Sequence, residues 1–145
     1  MTEDSPRFTF NKAERLKSTK IIDQLFDKRK SKSKVMYPFR IVWLETPLPT
    51  PFPVQFMVSV PKRFIPKAHN RNLIKRQVRE AYRQNKHRLY PIFTPPLQEK
   101  YEELSKPTPN IQVALMFIYL GREPLPYPLI YGKMRACIRY LTKQF

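Results

Sequence analysis

The chain has 145 residues, enough for one domain with a modest core, and its 28 Lys plus Arg against 11 Asp plus Glu give a formal net charge of +17. Such an imbalance repels itself on folding and calls for a polyanionic partner, nucleic acid first and an anionic membrane second. A spanning helix is excluded because no apolar run approaches roughly 18 residues, the start MTEDSPRFTF lacks the pattern of a secretory signal, and the single Cys137 excludes an internal disulfide, so the cytoplasm is the expected location.

Residues 1–18 read as extended or irregular, with Phe8 and Phe10 available for packing. Ser18 or Thr19 can cap a short helix running to about Lys28, with Ile21, Ile22, Leu25 and Phe26 on its apolar side. Residues 28–34, KRKSKSK, read as a solvated basic loop. Residues 39–45, FRIVWLE, read as a strand. A proline-rich loop then leads to a second strand over residues 54–61, and the two suit an antiparallel hairpin. Phe39, Ile41 and Trp43 alternate on one side of the first strand, Arg40 and Val42 on the other. One set faces the main core and the other a cleft beside the first helix, where Phe26 sits; the pattern leaves open which is which.

Residues 62–83 are the most informative segment. They are crowded with Lys and Arg and hold one acid, Glu80. A helix is expected from about residue 69 or 70 to about residue 89, with Asn70 as its N-cap. At about 100° per residue, Arg71, Lys75, Arg79, Arg83 and Lys86 fall on one stripe, with Asn72 and Arg76 at its edge. Ile74, Val78, Ala81 and Tyr82 fall opposite and face the core. A merely solvated face normally mixes signs, and this one does not.

Residues 90–109 form a Pro-rich connection with room for one helical turn near 97–104, long enough to read as an appended or partner-facing element. Residues 110–120, NIQVALMFIYL, are the strongest strand, continuous enough to be buried on both faces. A last helix runs over about 128–144. Its apolar side is Ile130, Met134, Cys137, Ile138 and Leu141, and Arg135, Arg139 and Lys143 line its outer side. The order α-β-β-α-β-α argues for an α/β (α+β) sandwich, one central sheet with flanking helices; length and charge together read as a single RNA-binding domain over 1–145.

The chemistry is limited. With 16 Pro and only 2 Gly, no Gly-rich phosphate loop or dinucleotide fingerprint can be built. A protein nuclease needs clustered carboxylates for metal ions or a His pair for acid–base work, and the basic segment has neither. Glu80 reads as a structural ion pair among arginines. His69 and His87 lie too far apart along one helix to cooperate, and Cys137 has no second Cys with which to hold a metal. No catalytic side chain and no metal ligand is expected. What remains is phosphate neutralisation by Lys62, Arg63, Arg71, Lys75, Arg76, Arg79 and Arg83, arginine as a bidentate fork and lysine as a point charge. Asn72, a polar uncharged residue within this charged opening, can make a helix-start hydrogen bond.

These residues resemble the bacterial ribonuclease P protein family. Lys62 and Arg63 close a strand, Ala68 and His69 follow a short loop, and Arg71, Asn72, Leu73, Ile74, Lys75, Arg76, Val78, Arg79, Glu80 and Ala81 match the family's Arg-Asn-Arg-Ile-Lys-Arg-x-x-Arg-Glu helix. Glu14-Arg15-Leu16-Lys17, followed by Leu25 and Phe26, is similar to the family's opening. The resemblance covers residues 8–88 well and the last strand and helix in outline. Leu73 departs from the third signature position, Ile22 stands where an exposed aromatic is common, and residues 90–109 read as an insertion.

The resemblance implies a left-handed β-α-β crossover. It also implies a protein that binds a catalytic RNA and the 5′ leader of precursor tRNA, as part of an endoribonuclease in which RNA and Mg²⁺ perform the hydrolysis, with no obligate protein partner. Asn72 would then lie near metal or RNA, and the leader would lie in a cleft for which Ile22, Phe26, Phe39 and Trp43 are the candidates; for the aromatics the alternative is plain core. A ribosomal or ribosome-associated RNA-binding protein is the competing reading, and it leaves the pattern at 62–80 as coincidence.

Overall fold

The computed structural model describes residues 10–93 and 111–145. Ser18 accepts a hydrogen bond from the Ile21 amide at 3.3 Å and so caps α1 (Thr19–Leu25). Three strands follow: β1 (Lys32–Met36), β2 (Phe39–Glu45) and β3 (Val54–Ser59). The basic helix is α2 (Ala68–Asn85), continued by a 3₁₀ turn, Lys86–Arg88, and the single-turn α3 (Tyr90–Phe93). β4 (Val113–Tyr119) and α4 (Tyr127–Thr142) complete the order. The helical turn expected near 97–104 lies outside the described residues.

The sheet order is β1-β2-β4-β3. β4, the most apolar strand, lies antiparallel to β2 and parallel to β3. The expected hairpin between β2 and β3 does not form. A strand apolar on both faces belongs in the sheet interior, and β4 takes that place between them. The parallel β3–β4 pair needs a crossover connection, which runs through α2.

The basic loop expected at 28–34 is also corrected, since β1 begins within it at Lys32. β1 pairs antiparallel with β2 from Lys32 opposite Trp43 to Met36 opposite Phe39, through the turn Tyr37–Pro38, whose peptide is cis. Its lysines suit an edge, where charge discourages further strand addition. Lys34 also extends its stem so that its ammonium lies 5.5 Å from the Tyr140 ring centroid.

Two cores flank the sheet. On one face Phe39, Ile41 and Trp43 of β2, Phe56 and Val58 of β3, and Leu115 and Phe117 of β4 pack against α2 and α4. Ile74, Val78, Ala81 and Tyr82 are the buried stripe of α2, and Ile130, Met134, Cys137, Ile138 and Leu141 that of α4, as periodicity predicts. Phe56 and Tyr82 stack with centroids 4.0 Å apart and planes 4° apart. On the other face Leu16, Leu25, Val42, Leu48, Ala114 and Met116 form a smaller core under α1.

The N-terminal segment closes the outer edge of β3. The Leu16 amide donates to the Phe56 carbonyl at 3.0 Å, and Gln55 Nε2 donates to the Ala13 carbonyl at 3.0 Å. Glu14, wholly buried, accepts from Lys86 Nζ and from the Tyr90 hydroxyl, each at 2.6 Å, and from the Asn11 amide at 3.0 Å. This polar knot fastens the start of the described chain to the end of α2.

Candidate nucleic-acid interface

The β3–α2 loop and the first turns of α2 carry the positive charge. Asn70 is not the cap; the N-cap position is Lys67, with no side-chain cap bond. Arg71 supplies the local order instead, as its Nη1 donates to the carbonyls of Ile65 at 2.9 Å and Pro66 at 2.7 Å. Arg71 is therefore a brace for the loop, with one end of its guanidinium committed to backbone.

Further along α2 the stripe divides. Arg83 grips Glu80 through Nε–Oε1 at 2.9 Å and Nη2–Oε2 at 2.6 Å. The Arg83 hydrogen bond holds the Glu80 carboxyl below the usual range, and the same contact raises Arg83. Glu80 is thus the structural ion pair the sequence suggests. Lys86 leaves the surface altogether for Glu14.

Lys75, Arg76 and Arg79 stay uncompensated: among the described residues no carboxylate forms an ion pair with any of them. Burial, and then the nearby Arg15 guanidinium, lower the Arg79 pKa. Like charges held close in this way are relieved by an anion. Lys62 and Arg63 are exposed where β3 runs into α2. Asn72 is exposed and makes no hydrogen bond among the described residues, which removes the helix-start reading.

Sequence reasoning missed Arg122 and Arg15. Because β3 and β4 are parallel, the loops after them adjoin, and Arg122 lies 4.4 Å over the Phe64 ring while Arg63 lies 4.9 Å from the same ring. The expected hairpin concealed this meeting. Arg15 lies 5.4 Å over the Phe10 ring, which itself packs edge-on to Tyr82. Its place beside Arg79 depends on the N-terminal segment crossing β3, for which the sequence carries no local signal.

The second sheet face offers a shallower surface. Across the strands, Val35, Arg40, Ile118 and Ser59 stand in one row, and Ser33, Val42, Met116 and Met57 in the next. α1 packs on β2 and β4 and covers part of this face. Ile22 is half-buried there, Phe26 at the end of α1 is 61% exposed, Val35 is 48% exposed, and Arg40 is exposed. The structure corrects two cleft candidates. Phe39 is 0% and Trp43 3% exposed, and both point into the opposite, α2/α4 core. The strand alternation is right, but the set on the α1 side is Arg40 and Val42, of which Arg40 is exposed and Val42 is buried under α1.

Among the described residues no helix is long and apolar enough to cross a membrane, and no group of three or more His, Cys, Asp or Glu is placed to hold a metal ion.

The Ribonuclease P family model matches residues 10–97. Ribonuclease P protein components from two Porphyromonas gingivalis strains are each 38% identical to the chain, over 88 and 86 residues. The matches cover 61% and 59% of this chain, and 63% and 61% of theirs, so the chain spans less than two thirds of the length of these relatives. Among solved structures, the Staphylococcus aureus RNase P protein superposes with a TM-score of 0.63 at 16% identity, over 90% of this chain and 96% of that one. A mutant of the Staphylococcus protein described as defective in mRNA degradation activity gives 0.62 at 16% identity, over 90% and 89%. At that identity the likeness is one of fold, a mixed α+β sheet flanked by helices.

Proposed function

The chain belongs to the ribonuclease P protein family, and on that premise we propose that it is the protein subunit of a ribonuclease P. It binds a catalytic RNA and the 5′ leader of precursor tRNA, and promotes Mg²⁺-dependent endonucleolytic removal of the leader. The observation that carries this reading is the group Lys75, Arg76 and Arg79, uncompensated by acids among the described residues on a helix whose opposite stripe is buried. A rigid helix presenting unpaired guanidinium groups binds phosphate without reorganising and releases condensed counterions. The ribosomal alternative leaves the family match over residues 10–97 unexplained.

Two RNA segments meet two surfaces. The α2 face, with Lys62, Arg63, Asn72, Lys75, Arg76 and Arg79, takes the folded catalytic RNA. The open sheet face takes the single-stranded leader, with Ile22, Phe26 and Val35 offering apolar contact to bases and Arg40 a phosphate contact. In this reading Mg²⁺ is bound mainly by the RNA partner. The protein's contribution is electrostatic. It screens the repulsion between two polyanions and holds them in register.

Reconstitution tests the reading. Catalytic RNA is assayed for precursor-tRNA cleavage at low Mg²⁺ with and without the protein. Stimulation is expected. An RNA whose cleavage is unaffected at every Mg²⁺ concentration would reject the assignment.

A further inference from the structure

The outer arginines of α4 are unused by the surfaces above. Arg135 and Arg139, one turn apart on α4, converge with Arg88 from the 3₁₀ turn after α2 to line a pocket of about 230 Å³. Ile138 and Thr142 complete the lining, and Ile138 is buried. Among the described residues none of the lining is acidic, and α4 contains no acid along its whole length. The three arginines are exposed, and among the described residues none of them is in an ion pair.

Same-sign neighbours at i, i+4 repel, and a third guanidinium brought in from another element adds to the repulsion. Such a convergence is relieved by a bound anion. Arginine selects phosphate among anions because its planar fork matches two phosphate oxygens at once. The pocket shares no residue with the proposed α2 face or with the open sheet face. We propose that it is a separate phosphate-binding site, and that the group it takes is a backbone phosphate of a further RNA segment. The protein would then contact RNA on the α4 side as well as through α2.

The test uses the full chain and two probes. Pyrophosphate is titrated into the isotopically labelled protein while amide shifts are followed, and a ribonuclease P RNA transcript is bound over a range of salt. Both are repeated with the double variant Arg135→Ala/Arg139→Ala. These side chains are exposed, so an unchanged melting temperature verifies folding. Pyrophosphate is expected to shift amides around Arg139 and Thr142 in the wild type but not in the variant. The slope of log affinity against log salt is expected to become shallower by roughly one, about 0.9 for the phosphate that is no longer neutralised. Pyrophosphate shifts lost in the variant with an unchanged RNA slope would overturn the RNA assignment and leave a site for free phosphate anions. Shifts at α4 that are absent in the wild type or persist in the variant would overturn the site itself. If the wild type failed to stimulate cleavage yet bound RNA with the steeper slope, the proposed function would fail and this inference would stand.

Discussion

Glu14 and Lys86, 72 positions apart, meet at 2.6 Å inside the fold, with side chains 0% and 8% exposed. The Tyr90 hydroxyl shares the same Glu14 oxygen and lies 3.1 Å from the Tyr82 hydroxyl. Lys86 falls on the stripe that periodicity assigns to RNA, yet it serves the interior. The Glu14-Arg15-Leu16 motif is accordingly structural at its first and third positions, since Leu16 is buried in the smaller core.

Removing one partner of a buried pair leaves a charge with neither water nor counterion. Glu14→Ala should cost about 3–5 kcal/mol in urea denaturation. The double variant Glu14→Leu/Lys86→Met should recover a substantial part, because it removes both charges together. A loss below about 1 kcal/mol for the single variant would show that Lys86 escapes to solvent at little cost.

The division of the α2 stripe predicts unequal arginines. Arg76→Ala and Arg79→Ala should each weaken binding to the catalytic RNA and flatten its salt dependence by roughly one ion. Arg83→Ala should change the slope less, because Glu80 already neutralises that guanidinium. Equal slopes for all three variants would contradict the division.

Phe26 and Trp43 should separate binding from stability. Phe26→Ala, at an exposed position, should leave the unfolding midpoint nearly unchanged and weaken leader binding by roughly 1–3 kcal/mol if a base stacks on it. The readout is affinity for precursor tRNA relative to mature tRNA. Trp43→Ala should instead cost about 3–5 kcal/mol of folding stability, as expected for a large ring removed from a packed core. A Phe26 variant that discriminates the two tRNAs as well as the wild type does would remove this residue from the leader surface.

Burial pushes the Cys137 thiol up to about 12. Thiolate, the reactive form, is therefore scarce in the native state at pH 8, whereas an unfolded cysteine, with its lower pKa, reacts sooner. Iodoacetamide labelling at pH 8 should be slow in buffer and should accelerate with urea in step with unfolding. Labelling of the native protein at the rate of a free thiol would place Cys137 at the surface.

Helices were legible because their periodic stripes are long: the buried faces of α2 and α4 are the ones their spacing predicts. Strand existence was legible for β2, β3 and β4, but strand order was not. Nothing local in β2 or β3 says that a segment from residue 113 onward will separate them. That one error hid the meeting of Arg63 and Arg122 over Phe64. The cleft face stayed open in the sequence for a related reason. Alternation divides a strand into two sets but does not say which helix covers each, and Trp43 and Val42 are apolar alike. The partners of Arg83 and Lys86 separate by distance. Glu80 is a close neighbour on the same helix and was readable, whereas Glu14 is reached only through the tertiary fold.

The late place of β4 in the chain makes the sheet sensitive to truncation. A chain that stops before residue 113 contains every residue of the basic helix, but β2 and β3 have no ladder between them. The cationic residues of α2 therefore precede, in chain order, the strand that completes the sheet beneath them. Truncation anywhere before β4 removes the strand that joins β2 to β3, and with it the platform on which the charged helix rests.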